Sequence, residues 1–146
     1  IAMPATAEQL NDAFMYCVDF ARTMLEDSGE FIPFGAKINA TGKIEAVGGW
    51  NGEEHPNRSE IYELILGALE TEVKSGKALA LAVAADVTIP AQYDAPFRDG
   101  LRVTLEAQDY ARFIYVPYHL TDPNAPKGSK GVEFAKPIAV ELRSLR

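Results

Sequence analysis

Lys77-Ala78-Leu79-Ala80-Leu81-Ala82-Val83-Ala84-Ala85-Asp86-Val87-Thr88-Ile89 is the stretch on which the fold turns. Its alanine-rich first half competes for a helix, since alanine has the best helix propensity. Strict alternation decides against that. Leu79, Leu81, Val83, Ala85, Val87 and Ile89 point one way, and Ala78, Ala80, Ala82, Ala84, Asp86 and Thr88 the other. A segment that closes on Val-Thr-Ile before Pro90 reads as a strand, and one apolar on both faces belongs in the middle of a sheet. The alanine face lets a helix or a partner subunit come close. Asp86 interrupts this run and is the acidic residue whose position needs an explanation.

Upstream, Ile61, Leu64, Ile65, Ala68, Leu69 and Val73 recur at helical spacing, with Asn57 and Glu60 placed as a capping pair and Gly76 as the stop. Before it, Phe31 to Asn39 and Lys43 to Trp50 flank Ala40-Thr41-Gly42, the pattern of a hairpin with a glycine at its turn. The chain opens on a long amphipathic helix carrying Leu10, Ala13, Phe14, Cys17, Val18, Ala21, Met24 and Leu25 on one stripe. Thr6 and Gln9 have capping-box spacing and Gly29 marks the helix end. Downstream, Leu101 to Ala107 alternates as a half-solvated strand, Gln108-Asp109 turns, and Ala111 to Tyr118 forms the next strand. Thr121 to Gly131 lacks apolar periodicity and reads as a mobile loop. Val132 to Leu145 adds an edge strand around Pro137.

The order is therefore α-β-β-α-β-β-β, with one further strand to follow, over residues 1–146 as a single domain. Hairpin connections make the sheet mainly antiparallel, with two amphipathic helices on it: an α+β fold. A hairpin, a helix and a three-strand meander in one sheet resemble the profilin-like and roadblock-type scaffolds, and that resemblance implies an interaction or dimerisation platform. Gly29-Glu30-Phe31-Ile32-Pro33-Phe34-Gly35, with Val116-Pro117-Tyr118 later, resembles a segment of small bacterial proteins to which no function is assigned. That resemblance implies a bacterial origin and brings no activity with it.

The 146 residues hold 14 Lys+Arg against 21 Asp+Glu, a net charge of −7, which disfavours nucleic-acid phosphate as a partner. At 47% apolar and 24% charged, the composition is that of a folded domain and not of a disordered chain. No apolar run approaches the roughly 18 residues of a membrane span. A single cysteine, Cys17, excludes an internal disulfide and lies on the apolar stripe, so it reads as a small buried hydrophobe. No signal-like start is visible, Met3 after Ile1-Ala2 reads as the natural start, and the expected setting is the cytoplasm.

His55 and His119 are the two histidines, too few and too far apart in sequence for a zinc site, so neither a metal nor a cofactor is expected. No nucleophile elbow and no phosphate loop occurs. Phe113, Ile114, Tyr115, Val116 and Tyr118 cannot all hide on one face of a strand, and the excess calls for a second cover. The leading expectation is thus a non-enzymatic protein-interaction or dimerisation module, of which an immunity-type protein is one version. The alternative is a small-ligand-binding domain with a pocket between helices and sheet near Glu30, Trp50, Asp86 and Tyr118. An enzyme using His55 or His119 as general base is the second alternative.

Overall fold

A computed structural model describes residues 4–48 and 57–142. The decisive stretch forms strand β3 (Ala78–Thr88), preceded by α1 (Ala7–Ser28), β1 (Phe34–Asn39), β2 (Ile44–Val47) and α2 (Arg58–Lys74). After it come β4 (Asp99–Ala107), β5 (Tyr110–Leu120), β6 (Val132–Phe134) and β7 (Ile138–Glu141). The described residues build one curled antiparallel sheet in the order β2-β1-β3-β4-β5-β6, with β7 also paired to β5. This is an α+β fold in the element order that the sequence predicts. Among the described residues no helix is long and apolar enough to cross a membrane.

β3 lies between β1 and β4 and is covered on both faces. On the alanine face, Ala80, Ala82 and Ala84 meet Ala13, Cys17, Ala21 and Leu25 of α1, together with Leu101, Val103 and Leu105 of β4. Small side chains on both partners bring the helix close, so the alanine face is taken by a helix of the same chain. On the other face, Leu81 and Val83 meet Ile61, Ile65 and Leu69 of α2. Each such aliphatic side chain contributes roughly 1.5–3 kcal/mol on burial. Gly35 of β1 sets how near α2 sits, since a Cβ there would stand 3.0 Å from Ile65 Cγ2 and 3.0 Å from the Ala82 carbonyl oxygen.

The helix ends follow local chemistry. Thr6 accepts from the Gln9 N–H at 3.0 Å while the Gln9 side chain accepts from the Thr6 N–H at 2.9 Å, satisfying two orphan donors. Gly29 closes α1 in the left-handed region at φ +82° and donates to the Leu25 carbonyl. Asn57 caps α2 by accepting from the Glu60 N–H.

Four expectations change. β1 begins at Phe34 and not at Phe31, because Pro33 has no N–H for a ladder and the Phe31 N–H is drawn to the Asp86 carboxylate. β4 is not half-solvated: Thr104 and Glu106, on its supposed wet face, are 1% and 7% exposed. The reason is Tyr62 of α2, whose hydroxyl reaches Thr104 Oγ1 at 2.6 Å across that face. The loop after β5 is tied down by Lys130, whose ammonium donates to the carbonyls of Pro123 and Ala125 at 2.8 Å and whose N–H donates to Glu26 of α1. The last strand is divided at Pro137, so that β6 pairs with Tyr118–Leu120 and β7 with Arg112–Tyr115 of the same neighbour. The ends of the second and last predicted strands, Gly49-Trp50 and Arg143 to Leu145, lie outside the described residues.

Candidate functional site

Asp86 stands where β3 leaves the core, and its carboxylate has been given partners. The Tyr118 hydroxyl of β5 donates to Asp86 Oδ1 at 2.6 Å, and the Phe31 N–H donates to the same carboxylate. Burial pushes the Asp86 carboxyl above its ordinary range, while those two donors and the nearby Arg58 guanidinium pull it back. Tyr118, 5% exposed, is pushed well above the ordinary phenol range by burial first and by its bond to Asp86 second. The phenol therefore stays a donor at any physiological pH. Glu30 is beside this pair but outside it: its carboxylate meets Arg58 at 3.1 Å with most of its surface in water. An exposed ion pair of this kind contributes at most about 1 kcal/mol.

Of the four residues expected at a pocket, Glu30, Asp86 and Tyr118 thus share one neighbourhood, and Trp50 lies outside the described residues. His55 also lies outside them. His119 is exposed at the end of β5, its ring stacked on Phe97 at 5.3 Å, and it makes no hydrogen bond with Asp86 or Glu30 among the described residues. No group of three or more metal-ligating side chains occurs among the described residues.

The larger concavity lies where the sequence showed nothing. α2 packs on β1 and β3 and reaches β4 through Tyr62, and a groove of about 710 Å3 runs between the helix and the β4–β5 half of the sheet. Tyr62, Glu63 and Leu66 of α2 form one wall, and Arg102, Thr104 and Phe113 form the floor. Tyr62, Glu63 and Arg102 also line a smaller recess of about 320 Å3, which extends to Pro33, Arg58 and Asp86. The two spaces meet at Arg102.

Arg102 is held by rings and not by carboxylates. Its guanidinium carbon lies 5.1 Å from the centre of the Tyr62 ring and 4.6 Å from that of Phe113, a double cation–π contact. Among the described residues no carboxylate forms an ion pair with it, although Arg58 and Arg112 each have one. Its Nε is buried without a hydrogen-bond acceptor. Leaving such a donor unpaired costs roughly 1–3 kcal/mol, more when it is charged.

Sequence reasoning passed over Arg102 and Tyr62. Arg102 was assigned to the wet face of β4, and the signal that would have found it is register: Arg102 stands opposite Tyr115 and Thr104 opposite Phe113. No family model, no curated protein and no solved structure matches the chain.

Proposed function

We propose that this chain is a small-ligand-binding module whose ligand occupies the groove between α2 and the β4–β5 half of the sheet. The observation that carries the reading is Arg102: a cation held against two rings at the junction of two concavities. The volume falls in the range of small-molecule pockets, and the lining mixes apolar side chains such as Leu66 and Phe113 with the charged Glu63, Glu70, Lys74, Arg102 and Glu106. Of Glu30, Trp50, Asp86 and Tyr118, at which a pocket is expected from the sequence, Asp86 lines the smaller recess.

This reading is preferred to self-association because the rings that called for a partner have covers within the chain. Val116 and Tyr118 sink into the core beneath α1, Tyr115 is 5% exposed with the Tyr93 ring 5.4 Å away, and Phe113 carries Arg102. A cytoplasmic setting goes with the reading, on the strength of one cysteine kept as a buried thiol.

A fragment screen on isotope-labelled protein tests it. Binding fragments are expected to shift the amides of Tyr62, Arg102, Thr104 and Phe113 together. A screen in which no fragment moves that set, while light scattering reports a stable dimer, replaces the ligand reading with the interaction reading.

A further inference from the structure

We infer that strand β2, at the edge of the sheet, docks a second copy of this chain, the two β2 strands pairing antiparallel about a two-fold axis through Ile44. This surface is separate from the groove. It uses none of the β5 rings, and the β4–β5 half of the sheet stays open to a ligand.

The backbone supplies the first observation. β2 ends the strand order, and among the described residues only β1 pairs with it. In the hairpin the Asn39 N–H donates to the Lys43 carbonyl at 2.8 Å, while Lys37 stands opposite Glu45 and Gly35 opposite Val47. Alternation therefore turns the backbone groups of Lys43, Glu45 and Val47 toward β1, and those of Ile44 and Ala46 outward. Such an outward row of donors and acceptors is a template for another strand.

Charge selects the strand and its register. Lys43 and Glu45 flank Ile44 and share one face of β2. Asn39 Nδ2 donates to Glu45 Oε2 at 2.7 Å and holds that carboxylate against the strand. With Ile44 opposite Ile44 of the second copy, Lys43 of each chain falls opposite Glu45 of the other. These two pairs occupy non-hydrogen-bonded positions, where opposing side chains come closest. The next register sets Glu45 against Glu45, which like charge disfavours. The one after centres on Ala46, sets Glu45 against Val47 and forgoes both ion pairs. An edge lysine ordinarily discourages strand addition, but this one suits a strand with glutamate two positions beyond its own lysine.

The third observation is apolar surface. Ile44 stands opposite Ile38, which belongs to the core beneath α1, so Ile44 projects on the α1 side of the sheet and is 40% exposed there. On the same side Phe20 of α1 is 39% exposed, its ring 4.6 Å from that of Phe34 in β1. A two-fold axis normal to the sheet keeps both α1 helices on one side. The Ile44 pair then lies between two flanks that each carry Phe20, and gains cover that one chain does not give it. β2 has four residues, so the seam is short and the dimer weak and reversible.

Sedimentation equilibrium of the whole chain between about 10 µM and about 1 mM should show a monomer–dimer equilibrium. Dilution over that range should move the amide signals of Ile44 and Ala46. K43E and E45K each set like charges opposite one another, and each should weaken dimerisation by about tenfold or more. Mixed in equal amounts, the two variants recreate both opposite-charge pairs and should associate as tightly as the parent. The dilution series on the parent needs no variant and is decisive even if E45K, which also loses its bond from Asn39, folds poorly. A monomer at about 1 mM, or a dimer whose dilution leaves Ile44 and Ala46 unmoved, overturns the inference. So does either variant dimerising as the parent does, or a mixture no tighter than its components. Fragments that fill the groove of a chain monomeric throughout leave the ligand reading standing and remove this one.

Discussion

Asp86 is a carboxylate that the fold tolerates at a cost, and the cost has a sign. Burial raises its proton affinity in the folded protein above the ordinary value of 3.8, so just above that pH the folded state holds more protons than the unfolded one. Stability contributed by this group is present at low pH and is lost as pH rises through the raised folded value. Asp86→Asn keeps an acceptor for the Tyr118 hydroxyl and removes the buried charge. The stability of the variant relative to the parent should therefore increase from about pH 4 to about pH 7 in urea unfolding, and a flat difference refutes the account. Tyr118→Phe takes away a donor and leaves the carboxylate under-satisfied, with an expected loss of about 1–3 kcal/mol at neutral pH by the same measurement. Cys17 shows the opposite economy. It is fully buried, and burial alone pushes its thiol up to about 12, so there is no thiolate to react. A thiol reagent should label it only at the rate of unfolding, and rapid labelling of the native protein contradicts its place in the core.

At the scale of elements, what the sequence disclosed was whatever is settled locally. Thr6 with Gln9, Gly29, and Asn57 with Glu60 lie within a few residues of the ends they make, and the helices start and stop there as expected. Thr6→Ala should cost about 1 kcal/mol, seen as a lower thermal midpoint, because it strips the acceptor from the Gln9 N–H. The alternation of Ala78 to Thr88 fixed a central strand for the same reason: period is a local property. What stayed hidden depends on two elements at once. Nothing in Arg58–Lys74 says that α2 lands on β1 and β3 and reaches β4 through Tyr62, and that meeting of helix and strand is what makes Arg102 a groove residue. The reading of β4 as half-wet failed at Thr104, whose cover comes from Tyr62, 42 positions away in the chain. Gly35 is the contact that decides where α2 rests. Gly35→Ala should cost about 1–3 kcal/mol by overpacking against Ile65 and should alter the groove, so ligand binding and stability are expected to fall together.

For the molecule as a whole, the net charge of −7 is spread over a small body whose ion pairs are mostly exposed. Self-repulsion should weaken as salt is added, and the thermal midpoint is expected to rise between about 10 mM and about 150 mM sodium chloride, the range over which the screening length drops from about 30 to about 8 Å. The sheet separates two cores of unequal depth. α1 spans 22 residues and sinks Ala13, Cys17, Val18, Ala21 and Leu25 into the larger one; α2 spans 17 and sinks Ile61, Ile65 and Leu69 into the smaller. The shallower anchor belongs to the helix that forms a wall of the groove. Amides of α2 should accordingly exchange with solvent through smaller openings than those of α1, and a ligand bridging Tyr62 to Arg102 should slow exchange at Ile65 and Leu69 before it changes anything at Cys17. Occupancy of the groove would then be stored as a loss of breathing in one helix.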